Sequence, residues 1–80
     1  MSLKERESKV SELIKQGKTD DAVRLLFEMV CDCARAHQFE KAENLRQKIM
    51  DINAMALTEI INAAEVIEAE KAKAIDQGHK

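Results

Sequence analysis

The chain has 80 residues, with 13 Lys and Arg against 15 Asp and Glu, no Pro, Trp or Tyr, two Gly and two Phe. Folding at this size buries only about 60–65% of the unfolded surface, so a lone monomer is marginal and a single module of a longer protein is expected. The net charge of −2, with both signs interspersed, excludes the basic excess of a nucleic-acid binder, no apolar run is long enough to span a membrane, and Met1–Glu5 lacks the apolar core of a signal peptide, so a cytoplasmic location is expected.

Ala, Glu, Lys, Ile and Leu dominate, and period-two alternation is never sustained, so every element is predicted to be a helix. The first helix, over about 2–16, starts at Ser2 with Glu5 three residues on, the spacing of a capping box. Its apolar stripe is Leu3, Val10, Leu13 and Ile14, and Gly17 supplies the stop. The second helix, over about 19–36, is capped by Thr19 and has Asp20 and Asp21 in its first turn, where the helix dipole favours negative charge. It carries two apolar stripes. One is Ala22, Leu26, Met29, Cys33 and Ala36, and the other is Val23, Phe27, Val30 and Ala34. A helix apolar around most of its circumference must be covered on two sides, which predicts that it lies between the first and third helices.

His37 and Gln38 mark a break without Gly or Pro. The third helix, over about 39–52, is single-faced, with Phe39, Ala42, Leu45, Ile49 and Ile52 on its apolar stripe. Asn53 can cap a fourth helix over about 54–77, whose 24 residues would measure roughly 36 Å. That helix is longer than its partners can cover. The expected core is Leu26, Phe27, Phe39, Leu45 and Ile49.

An internal echo relates the second and third helices. Gly17–Ala22 aligns with His37–Ala42 at a shift of 20 residues, and Leu25 and Met29 then match Leu45 and Ile49. Repeated helical hairpins give such spacing, as does any bundle of short helices. The expected fold is all-α, a four-helix array of antiparallel hairpins with an α-solenoid character and a long last helix.

No constellation of residues points to chemistry. Cys31 and Cys33 lie roughly 200° apart around a helix, so they cannot share a metal or a disulfide. Cys33 and His37 have ligand spacing if the second helix reaches His37, but no second Cys/His pair completes a zinc site. Buried, inert thiols are the simpler reading. Gly17 and Gly78 are the only glycines and form no phosphate loop. Glu68 and Glu70 are two apart on a helix and point to different faces. The chain is therefore expected to be non-enzymatic, with no cofactor, metal or small-molecule substrate.

Two stretches carry family resemblances. Ala34–Ile49, with Phe39, Glu40, Ala42, Leu45, Arg46 and Ile49 in place, resembles a UVR motif, and its Phe-Glu-Lys-Ala start also resembles tetratricopeptide-like hairpins. That resemblance implies a helical hairpin that pairs with another hairpin. It does not imply DNA repair, because no nuclease or helicase portion is present. Gly17-Lys18-Thr19, Ala22–Phe27, Phe39–Glu43 and Met55–Ile61 together resemble the helical N-terminal region ahead of a cyclic-nucleotide-binding domain in bacterial sensor proteins, and Ala74–Lys80 resembles the join to that domain. The chain has no β-roll or phosphate-binding cassette, so this resemblance implies an interaction module without cyclic-nucleotide binding of its own.

The functional expectation is protein–protein association, including a homodimer, as a regulatory or spacer segment. The candidate contact face is Leu57, Ile60, Ile61, Ala63, Ala64 and Ile67 on the fourth helix. Ala63, Ala64, Ile67, Ala74 and Ile75 suggest a loose seam that Glu68 and Lys71 interrupt, so a long heptad coil is not expected. The alternatives are a UVR-like adaptor for a different protein and a small metal- or redox-responsive protein using Cys31, Cys33 and His37.

Overall fold

The structure, a computed structural model, describes the backbone of residues 2–78. The side chains of Leu3 and of residues 76–78, and the whole of Met1, His79 and Lys80, lie outside the described residues, so the expected stripe position of Leu3 and the end of the Ala74–Lys80 join fall there. Four helices account for the fold: α1 (Leu3–Lys15), α2 (Thr19–Arg35), α3 (Phe39–Ile52) and α4 (Leu57–Gly78). No strand occurs among the described residues.

Ser2 caps α1 as its sequence position predicts. The Glu5 N–H donates to Ser2 Oγ at 3.2 Å, and the Ser2 hydroxyl donates to Glu5 Oε1 at 3.2 Å. The glutamate thus binds the hydroxyl of the capping serine. Thr19 does not cap α2. Lys18 occupies the cap position without a side-chain bond, and Thr19 is the first helical residue. The reason is the preceding turn, which closes so tightly that the next helix begins at once.

That turn is built twice. The Lys18 N–H donates to the Leu13 carbonyl at 2.8 Å, and the Gly17 N–H to that of Ile14 at 3.0 Å. Twenty residues on, the Gln38 N–H donates to Cys33 at 2.8 Å and the His37 N–H to Ala34 at 3.0 Å. Both are the paired six-to-one and five-to-two bonds of a Schellman closure, which requires a left-handed residue just past the helix. Gly17 fills that position at φ 76° and His37 at φ 62°. The sequence echo therefore corresponds to one backbone turn used twice, once with glycine and once without.

The two turns make opposite predictions. Nothing lies within 4 Å of a Cβ placed on Gly17, so Gly17→Ala meets only backbone strain and should cost about 1 kcal/mol. His37→Gly removes the same strain and should gain about 0.5–1 kcal/mol, less whatever its stacking on Phe39 contributes. Denaturant unfolding of both variants checks the signs. A stabilising Gly17→Ala would mean that α1 runs on through the turn.

α2 packs against α1, α3 and α4, and among the described residues α1 packs mainly on α2, so α2 is the central helix that its two stripes predict. Ala22, Val23, Leu26, Met29, Val30, Cys33 and Ala34 are all buried. Val10 from α1, Ala42, Leu45 and Ile49 from α3, and Ile60, Ala63 and Ile67 from α4 complete the core. Ala36 lies past the helix end and is exposed. Phe27 and Phe39, expected at the centre, are only partly buried and pack on its rim. The fully buried larger side chains are Leu26, Met29, Val30, Ile49 and Ile67. Between α1 and α2, Arg6 pairs with Asp32. That hydrogen bond, above all, raises the hold of the Arg6 guanidinium on its proton.

α4 begins later than its sequence suggests. Asn53 Oδ1 accepts from the Met55 N–H at 3.1 Å, and the Ala56 N–H donates to the Asn53 carbonyl at 3.0 Å. Asn53 thus caps a turn, and the helix starts at Leu57. With 22 residues α4 is still the longest helix, about 33 Å.

Candidate interaction surface

The apolar positions of α4 separate into two rows. Ile60, Ala63 and Ile67 are 9%, 0% and 0% exposed and face α2 and α3. Their spacing continues to Glu70 and Ala74, which are half-buried. Leu57 and Ile61 are 55% and 54% exposed, and Ala64 is half-buried beside them. Steps of four and three residues place these three side by side along the helix. The six residues of the predicted contact face are therefore shared, three to the chain's own core and three to its outer surface.

The outer row extends further in the same rhythm. Leu57, Ile61, Ala64, Glu68, Lys71 and Ile75 are spaced 4, 3, 4, 3 and 4, the repeat of a coiled-coil seam. Ile75 is 62% exposed. Lys71 Nζ lies 3.8 Å from Glu68 Oε1, and the Lys73–Glu70 pair at 3.2 Å sits off this row. The rest of the exposed half of α4 carries Thr58, Asn62, Glu65, Ala69, Ala72 and Lys73, so its large aliphatic side chains fall on one strip only. Past Ile67 no described residue of α4 is buried. Met55, 80% exposed in the turn before α4, adds apolar surface next to Leu57.

The outer row carries Glu68 and Lys71 with side chains 74% and 41% exposed, whereas the first charge of the inner row, Glu70, comes three residues past Ile67 with its side chain 17% exposed.

An open groove of about 760 Å³ lies where Glu7 of α1 faces the start of α3. His37, Phe39, Lys41, Asn44 and Lys48 line it, and the His37 and Phe39 rings stack with centroids 5.6 Å apart. Glu7 and Glu40 share the groove with the two lysines, so it has no dominant sign. On α3 itself, Arg46 Nη2 bonds Glu43 Oε2 at 3.1 Å, while its buried Nε has no partner.

The cysteines occupy separate environments. Cys33 is buried in the core and Cys31 is half-buried. Because α2 ends at Arg35 and His37 is left-handed and exposed beyond it, Cys33 and His37 do not share a helix, and the condition for their ligand spacing is not met. Among the described residues, no three His, Cys, Asp or Glu side chains gather in a way that could hold a metal ion. Burial pushes both thiols above their ordinary range, with Arg35 partly opposing this at Cys31 and Lys41 at Cys33. A disulfide-exchange probe at neutral pH should label Cys31 slowly and Cys33 only through unfolding. Unfolding restores ordinary acidity, so above the ordinary thiol range the unfolded chain releases protons that the folded chain retains. The thiols' contribution to stability should therefore be fully present below that range and be lost as pH rises through it. Fast labelling of both thiols in the native protein would contradict their burial.

No family model, curated protein or solved structure matches the chain. No helix among the described residues is long and apolar enough to cross a membrane.

Proposed function

We propose that the chain is a non-catalytic helical module for protein–protein association, and that it associates with itself through the outer row of α4. The observation that carries this reading is the division of α4. One apolar row is consumed by the core, while Leu57, Ile61 and Ile75, each more than half exposed, lie on a single strip of the other side. Such alignment is the signature of a contact surface, whereas scattered apolar residues are ordinary. The two Schellman turns support an arrangement of successive antiparallel hairpins, stepped by 20 residues, in the manner of a short α-solenoid. Such arrays present helix faces to partners. The resemblance to the region ahead of a cyclic-nucleotide-binding domain fits a regulatory segment of that kind.

The UVR-like adaptor reading has one observation in its favour. α3 begins at Phe39 directly after a tight turn, as that motif implies, and the groove there is open. The two readings place the contact at opposite elements. Light scattering on wild type and Ile61→Glu separates them. Self-association through α4 predicts a mass rising above 9.0 kDa with concentration in the wild type, and a constant monomer mass in the variant. A wild-type mass constant to high micromolar concentration would contradict the proposal.

A further inference from the structure

We infer that the second copy meets α4 in antiparallel orientation, with Glu68 of each chain facing Lys71 of the other. This rests on the self-association reading and deepens it. The outer row has two charges of opposite sign, Glu68 and Lys71, between apolar positions on either side. Both side chains are substantially open, at 74% and 41% exposure, so they are available to a partner.

The spacing of the row decides which orientation tolerates them. In a parallel, in-register helix pair, each seam position meets its own equivalent. Glu68 would then face Glu68 and Lys71 would face Lys71, two like-charge layers next to each other. In an antiparallel pair about a two-fold axis, the two kinds of seam position face one another. With the axis between Glu68 and Lys71, each glutamate faces a lysine of the other copy, and the same-chain pair at 3.8 Å joins them into an alternating four-charge ring. The same register sets Ala64 against Ile75 on both sides of the ring, a small residue against a large one. Ile61 reaches the last turn of the opposite helix, and Leu57 lies one turn beyond the overlap. The charges that interrupt a long apolar coil thus act as an orientation lock for a short one, because opposite charges across an interface fix register while like charges oppose it. The overlap spans about five helical turns of a single helix pair, less than a standard interface, so the dimer is concentration-dependent.

The test uses the full chain and charge exchange, with circular dichroism confirming that each variant keeps its helix content. Glu68→Lys should weaken dimerisation about tenfold, and so should Lys71→Glu. The combined Glu68→Lys, Lys71→Glu chain should return to within about threefold of wild type, because the ring is rebuilt with its signs exchanged. Added salt should weaken the wild-type dimer. A parallel dimer would also weaken in each single variant, because Glu68→Lys gathers four positive charges, so orientation is read by disulfide trapping. An Ala64→Cys chain mixed with an Ile75→Cys chain should give the mixed 64–75 disulfide, whereas a parallel dimer gives 64–64 and 75–75 disulfides and overturns the antiparallel pairing. A wild-type dimer indifferent to Glu68→Lys, or a double variant no better than the singles, overturns the antiparallel lock and leaves the association reading standing. A wild-type chain that stays monomeric overturns both.

Discussion

An Ile67→Glu chain should be unfolded under conditions in which the wild type is folded. Ile67 has no exposed surface and sits among the fully buried side chains with Leu26, Met29 and Ile49. Truncating such a residue costs about 2–5 kcal/mol, and placing an unpaired carboxylate in the same space adds several more. A domain of this length has a total stability of roughly 4–12 kcal/mol. The substitution therefore exceeds or nearly exhausts what is available. Ile61→Glu supplies the control from the same helix. Its side chain is 54% exposed, and the change should leave unfolding within about 0.5 kcal/mol of wild type once measured at a concentration where the chain is monomeric. Far-ultraviolet circular dichroism through a urea titration reads both. A native-like spectrum and transition for Ile67→Glu would show that the sides of α4 are assigned the wrong way round.

Leu26→Ala should be the next most damaging change, at about 3 kcal/mol. Leu26 is 1% exposed on the helix that touches all three others, so neighbours on three sides resist collapse into the space left behind. Phe27→Ala removes a larger side chain and yet should cost less, about 1–2 kcal/mol, because Phe27 lies on the rim, beside a shallow pocket lined by Arg6, Glu28 and Asp32. The order of these two losses in denaturant unfolding is the informative quantity. Phe27→Ala exceeding Leu26→Ala would place the aromatic ring at the centre after all.

That reversal shows what patterning can and cannot supply. The two stripes of α2 identify it as the central helix, and the spacing of Phe39, Ala42, Leu45, Ile49 and Ile52 predicts α3 with the bounds it has. Periodicity tells which side of a helix is inward. It does not tell how far along that side a neighbour reaches, so it does not place Phe27 and Phe39 at the rim and Met29 and Val30 at the centre. Turns were harder. An asparagine that bonds the N–H two residues on can start a helix or close a turn by the same contact, and Asn53 does the second. His37 gives no glycine signal for its left-handed backbone, although the 20-residue alignment sets it under Gly17. On α4, apolarity alone puts both rows into one contact face, because Ile60 and Ile61 are the same residue type, as are Ala63 and Ala64. Only packing against α2 and α3 separates them, and the Arg6–Asp32 pair across 26 residues of chain was equally beyond local patterning.

The most direct test of the two-sided α4 is a dilution series of the full chain followed residue by residue with nuclear magnetic resonance. Self-association through the outer row predicts concentration-dependent shifts at Ile61, Ala64, Glu68, Lys71 and Ile75, with Ile60, Ala63 and Ile67 changing far less. Spectra that do not change with concentration, or shifts centred on His37, Phe39 and Lys41 in the groove at the start of α3, would contradict it.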